Sequence, residues 1–168
     1  MSLSDVTFSN GEGEVAATPV SAGSYQVFGN YAWDATIAPS KSSGISVNIT
    51  KAAPGIVLTS TRSSVQSGQN VTFSLEASSV LNGVVPSGTV VFTDTATGAV
   101  LKNEGLPESS TFSGVATATW FTTVPQCQLQ SGANTITASY SGDNNYLGVP
   151  ATPVTVTDAQ VAFTTSIS

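Results

Sequence analysis

Asp34 and Asp143 occupy equivalent places in two copies of one passage, and Asn144 and Asn145 follow the second of them. Grouped carboxylate and amide oxygens are what a calcium ion takes, so calcium is the first chemistry to weigh. The ion needs roughly six to eight oxygens, commonly delivered by an acidic loop of fixed spacing, and neither aspartate has that spacing around it. The other account is a tight turn in which the aspartate side chain accepts backbone N–H bonds. It explains both copies and is adopted here, with calcium at Asp34 or Asp143 as the alternative; no residue is assigned as a metal ligand.

Covalent catalysis finds little to work with. A serine nucleophile needs a base beside it, and the chain has no histidine. A serine–lysine pair would need Lys41, Lys51 or Lys102 to be desolvated, and nothing in their surroundings marks them so. Glycoside hydrolysis needs two carboxylates across a cleft, whereas the ten acids are scattered. The single cysteine, Cys127, excludes an intramolecular disulfide and, with no histidine to activate it, reads as a small loop or edge residue. No catalytic or cofactor-binding residue is therefore assigned, no cofactor is expected, and an enzyme is not expected. Tyr31 and Trp33 at a turn could offer an aromatic platform to a sugar or a protein partner. Covering the end of the domain or packing on a neighbouring one is the preferred account, and the binding site stays unassigned.

Charge and hydropathy narrow the partners. A net charge of −6 repels phosphate backbones, and Lys41, Lys51, Arg62 and Lys102 form no cluster, so nucleic acid is not expected. No apolar run is long enough to span a membrane, and the start lacks the basic-then-apolar pattern of an export signal. Met1-Ser2-Leu3 reads as a vector scar.

These residues need a scaffold, and composition says which kind. Ser and Thr together number 48 and Val 20, against only 8 Leu. Residues branched at Cβ suit a pleated surface, and 15 Gly with 8 Pro supply turns, so the class is all-β. The clearest strand covers residues 70–77, where Val71, Phe73, Leu75 and Ala77 alternate with Thr72, Ser74 and Glu76. Further strands are expected at 56–60, 89–94 with Val90 and Phe92 inward, 99–102, 115–121, 135–140 with Ile136, Ala138 and Tyr140 inward, and 154–157. Residues 65–69 read as a turn, 103–113 as a mobile connection and 122–130 as a long one. For 115–121 two facings compete: Ala116, Ala118 and Trp120, or Val115 and Phe121. Seven short strands, each with one polar face, fit a two-sheet sandwich, with a closed barrel as the alternative, against which stands the scarcity of regular glycine corners.

The passage from Gly23 to Asp34 lies over that from Gly132 to Asp143 at an offset of 109 residues without a gap, and the same offset puts Ile45 on Val154 and Val47 on Val156. A period of about a domain's length means tandem modules. The expected organisation is a partial or reduced module at 1–50, a complete one at 51–158, and a linker or first strand of a following module at 159–168, the whole cut from a longer array. In the first module strands are expected at 6–9, 14–18, 25–32 and 45–50. Val6-Thr7-Phe8-Ser9 resembles Val90-Val91-Phe92-Thr93 in type, and Val161-Ala162-Phe163-Thr164-Thr165-Ser166 resembles Ile56-Val57-Leu58-Thr59-Ser60-Thr61.

Four segments in order carry a resemblance: Ser67-Gly68-Gln69-Asn70-Val71-Thr72-Phe73; Pro86-Ser87-Gly88-Thr89-Val90-Val91-Phe92-Thr93-Asp94; Asn134-Thr135-Ile136-Thr137-Ala138-Ser139-Tyr140-Ser141-Gly142-Asp143-Asn144-Asn145-Tyr146; and Pro153-Val154-Thr155-Val156-Thr157. Together they resemble the bacterial immunoglobulin-like repeat domains, well over 56–157 and in part over 5–50. The resemblance implies an immunoglobulin-like β-sandwich found in tandem in large bacterial surface, secreted and adhesin-like proteins, hence an extracellular or cell-surface location. It brings no catalytic residues. The expected role is a structural spacer whose partners are neighbouring modules, with self-association through unpaired strands, chiefly 1–50 and 159–168; the alternative is a binding module for a glycan or host protein. Two departures stand out: the long 122–130 stretch, and Trp33 where the later copy has Gly142.

Overall fold

The computed structural model describes residues 21–32, 35–66, 68–81, 84–105, 108–112 and 115–159. The chain divides into two compact units, Met1–Thr50 and Lys51–Ser168.

In the first unit the described strands are β1 (Gly23–Val27), β2 (Asn30–Tyr31), β3 (Ser40–Lys41) and β4 (Ile45–Ile49). The expected strand at 25–32 is thus two shorter ones, interrupted at Phe28 and Gly29. Gly29 exchanges bonds with Ser42, whose hydroxyl accepts the Gly29 N–H and whose N–H donates to the Gly29 carbonyl, both at 2.9 Å. The expected strands at 6–9 and 14–18, Trp33, Asp34 and the 161–166 segment lie outside the described residues.

In the second unit β5 (Gly55–Ser60), β6 (Ser64–Val65), β7 (Asn70–Ser78), β8 (Val90–Asp94), β9 (Ala99–Glu104), β10 (Glu108–Phe112), β11 (Val115–Pro125), β12 (Gly132–Tyr140), β13 (Val149–Pro150) and β14 (Val154–Asp158) build two layers. One sheet runs β10-β11-β7-β5 and the other β6-β14-β12-β8-β9, with β13 beside β12. All pairings between these strands are antiparallel except that of β6 with β14, which is parallel. The expected all-β sandwich is present, and every one of its seven expected strands is among these.

Alternation places the core. Val71, Phe73, Leu75 and Ala77 of β7 and Ala118, Trp120 and Val124 of β11 face Val90 and Phe92 of β8, Ile136, Ala138 and Tyr140 of β12 and Val156 of β14, all buried in one cluster. Each of the larger aliphatic and phenyl side chains contributes about 1.5–3 kcal/mol when fully withdrawn from water. Trp120 and Tyr140 meet across the layers with ring centroids 5.4 Å apart. The two facings open for β11 resolve to Ala116, Ala118 and Trp120 inward, since Phe121 is 47% exposed.

Three expectations are corrected. The described residues of 103–113 are mostly extended: Asn103 and Glu104 pair with Val91 and Val90, and β10 pairs with the start of β11. The sequence at 108–112 has no two-residue apolar alternation that would announce a strand, and β10 is defined by its backbone register with β11, from Glu108↔Thr119 to Phe112↔Val115. Val65 belongs to β6 rather than a turn and is fully buried; a two-residue strand is too short for periodicity to reveal. The long connection at 122–130 shrinks because β11 continues to Pro125 on the full length of β7, followed by a single 3₁₀ turn, Gln126–Gln128, that carries the exposed Cys127.

The sequence repeat is matched by a repeat of backbone pairing. Gly23↔Ile49, Ser24↔Asn48, Tyr25↔Val47, Gln26↔Ser46 and Val27↔Ile45 in the first unit become Gly132↔Asp158, Ala133↔Thr157, Asn134↔Val156, Thr135↔Thr155 and Ile136↔Val154 in the second. The short pairs follow suit, with Asn30↔Lys41 and Tyr31↔Ser40 matching Ser139↔Pro150 and Tyr140↔Val149. Both partners of every pair are displaced by the same 109 residues.

Candidate functional site

The densest polar arrangement in the second unit surrounds Asp143, in the turn that leaves β12. Gly142 makes this turn possible. Its φ of +76° lies in the left-handed region, and a Cβ there would sit 2.5 Å from the Gly148 nitrogen and 2.7 Å from the Tyr146 carbonyl oxygen. Facing it, Gly88 at φ +105° leaves no room either, since its Cβ would stand 2.4 Å from the Gly142 carbonyl oxygen. The two glycines let the loop before β8 and the turn after β12 touch backbone to backbone.

That approach delivers donors to the carboxylate. Asp143 Oδ1 accepts the N–H groups of Asn145 at 2.7 Å and Tyr146 at 2.8 Å. Oδ2 accepts the Ser87 N–H at 2.6 Å, the Ser87 hydroxyl at 3.0 Å and the Tyr140 hydroxyl at 3.1 Å. Burial works against the charge, yet the Ser87, Asn145 and Tyr146 amides outweigh it and hold the carboxyl below its usual range. Tyr140, whose single hydroxyl hydrogen is shared between the Asp143 carboxylate and the Ser87 carbonyl, is displaced the other way: burial, then the adjacent Asp143 charge, hold its phenol well above the ordinary value.

A second tier ties in the segment that leads into the unit. Ala52 donates its N–H to the Asn145 carbonyl at 2.9 Å and accepts the Leu147 N–H at 2.8 Å, an isolated parallel bridge beside Tyr146. The Lys51 ammonium donates to the Asp143 carbonyl. Tyr146, fully buried, donates its hydroxyl to the Val84 carbonyl at 2.8 Å and lies 2.7 Å from the Ser79 hydroxyl. The turn at 143–147 thus joins the leading segment, the loop between β7 and β8, and the end of β12.

Chemically the arrangement is a brace. Both carboxylate oxygens point at N–H and O–H hydrogens, the positive ends of dipoles, which is the turn arrangement preferred from sequence and the wrong field for a cation. Among the described residues no three of His, Cys, Asp and Glu stand close enough to share a metal ion. Elsewhere, buried Asp94 caps its own turn through the Ala96 N–H and the Thr97 hydroxyl, both at 3.0 Å. Buried Asn134 braces the turn before β12 through Gln130 and Gly132. Tyr31 is half-buried at the counterpart of Tyr140, and its expected partner Trp33 is outside the described residues. Sequence reading found the Asp143 turn but missed Ser87 and Ala52 as its partners; the Pro86-Ser87-Gly88 turn was the available signal for the first.

Among the described residues no helix is long and apolar enough to cross a membrane. No curated protein sequence matches the chain. The model of the bacterial Ig-like domain (group 3) family matches residues 58–158, which runs from within β5 to the end of β14 and includes Asp143 with its Ser87, Tyr140, Asn145 and Tyr146 partners, but not Lys51 and Ala52. Domains of this kind are generally non-enzymatic structural or surface modules and typically extracellular. With that match spanning more than half its length and coinciding with the two-layer sandwich, the chain belongs to the bacterial Ig-like domain family, group 3.

Proposed function

We propose that this chain is a load-bearing spacer segment of a large bacterial surface or secreted repeat protein, with neighbouring Ig-like modules in series as its partners. The observation that carries the reading is the parallel pairing of β6 with β14. β6 closely follows the segment through which the second unit is joined to what precedes it, and β14 leads out at the other end. Tension applied at the two ends pulls two parallel neighbours in opposite directions along their length. Their hydrogen bonds then resist together instead of opening one at a time.

The bonds concerned are few and local. Thr157 N–H donates to the Ser63 carbonyl at 3.0 Å and Ala159 N–H to the Val65 carbonyl at 2.9 Å, and the buried Val65 anchors the strand from behind. The Ala52 bridge to the 143–147 turn shortens the free length of chain ahead of β5, which favours a stiff joint over a loose tether. An adhesin-like parent accords with such a stalk.

Single-molecule extension of a polyprotein made from this module tests the reading. Ala159→Pro deletes one donor just past the end of β14 and costs about 1 kcal/mol at equilibrium. It is expected to lower the unfolding force clearly; an unchanged force would show that the β6–β14 contact carries no load.

A further inference from the structure

Two sets of bonds meet in the turn at 143–147. One belongs to the turn itself: Asp143 Oδ1 accepts the Asn145 and Tyr146 N–H groups, and the Asp143 N–H donates to the Tyr146 carbonyl at 3.0 Å. The other belongs to the leading segment, where Ala52 gives its N–H to the Asn145 carbonyl and takes the Leu147 N–H. Asn145 takes part in both sets, and Tyr146 lies between the two groups that hold Ala52. The carboxylate therefore fixes the peptide units that receive the segment. The two sets differ in how firmly they are anchored. The turn is pinned by the buried Tyr146 side chain on Val84 and Ser79 and by Ser87 on the carboxylate. The segment has only an isolated bridge, the Lys51 ammonium on the Asp143 carbonyl and the Ala52 methyl resting on the core, with Lys51 and Ala53 exposed on either side. Its next firm point is the buried Pro54, just ahead of β5. A bridge with no ladder around it opens locally, at a free energy well below that of global unfolding.

We propose that residues 51–53 are a strap that docks on and leaves the 145–147 turn while the sandwich stays folded, with Asp143 as the positioning residue that sets how often it is docked. Docked, the segment is part of the module. Released, three residues at roughly 3.3–3.6 Å each add about 10 Å of slack ahead of Pro54. The dependence runs one way. Losing Ala52 takes nothing from the carboxylate, whereas losing the carboxylate frees the Asn145 carbonyl and the Leu147 N–H to turn away from Ala52. The docked population then falls by as much as the turn loses its receiving shape. Docking and release need no load and so stand apart from the spacer role.

Amide hydrogen exchange of the full chain, followed residue by residue by NMR, provides the test. In the parent the Ala52 and Leu147 amides are expected to exchange about tenfold or more faster than the buried amides of β7 and β12. Ala52→Pro removes the donor of the strap. Leu147 is then expected to lose its protection while Asn145, Tyr146 and the β7 and β12 amides keep theirs. Asp143→Asn sets an NH2 group against donors, whichever oxygen it replaces. Asn145 and Tyr146 are expected to exchange faster, and Ala52 and Leu147 with them, by about tenfold beyond any change in β7 and β12. A general loss of stability would instead move every amide by one factor. Ala52 and Leu147 exchanging as slowly as β7 and β12 in the parent, Leu147 staying protected in Ala52→Pro, Asn145 and Tyr146 released by Ala52→Pro, or a uniform change in Asp143→Asn would each overturn the proposal.

Discussion

Ser87 donates to Asp143 twice, through its backbone N–H at 2.6 Å and its hydroxyl at 3.0 Å, although 56 residues separate them. The pair closes one end of the sandwich, and its strength depends on the carboxyl being ionised. A carboxyl held below its unfolded value contributes stability that is fully present above the unfolded pKa and lost as pH falls through the folded one. Asp143→Asn is therefore expected to be less stable than the parent at neutral pH by about 2 kcal/mol, as for hydrogen bonds to a charged acceptor. The gap is expected to narrow once pH drops below about 4, where the unfolded carboxyl protonates. Urea titrations across a pH series measure both; a gap that stays constant down to strongly acidic pH would count against the assignment.

Gly142→Ala strains a left-handed residue and drives a methyl into the Gly148 nitrogen and Tyr146 carbonyl. A loss of about 2–3 kcal/mol is expected. Gly98, also at positive φ but with open space around it, is the comparison: Gly98→Ala bears the conformational cost alone and is expected to lose less. Equal losses would mean that crowding at the brace is relieved cheaply.

Two phenylalanines on adjacent strands separate burial from sequence hydrophobicity. Phe73→Ala opens a cavity in the fully buried cluster and is expected to cost about 3–5 kcal/mol. Phe121→Ala, on the solvent side of β11, is expected to change stability by less than about 1 kcal/mol. Thermal or denaturant unfolding of the two variants decides it.

Chelation is expected to leave the melting temperature where it was. Both Asp143 oxygens are engaged by N–H and O–H donors. A drop of several degrees in EDTA, restored by calcium, would show an ion in the turn or at Asp34.

Local alternation made much of this fold legible. Val71 to Ala77, the Val90 and Phe92 pair, and Ile136 to Tyr140 could be placed on the inner face because each strand spans enough residues for its period to show. Val65 could not, in a strand of two residues, nor could residues 108–112, whose pairing comes from the backbone of β11. At the brace, the Asp143 turn was legible from its own residues. Its contacts to Ser87 and Ala52 were not, because they exist only once β8 has docked on β12 and the leading segment has folded back.

The hairpin at 132–158 keeps the register of the one at 23–49, pair for pair. Its alignment is thus written into its own strands and turns and does not wait for the rest of the sandwich. Contacts within such a hairpin close short loops, which cost little chain entropy, whereas β6 must find its partner β14 across most of the module. Folding is then expected to begin in local pairings such as this hairpin, with substitutions at Ile136 or Val156 slowing the folding rate and substitutions at Val65 acting mainly on the rate of unfolding. On a ribosome, where the amino end emerges first, such a domain stays unfolded until nearly all of it has been made.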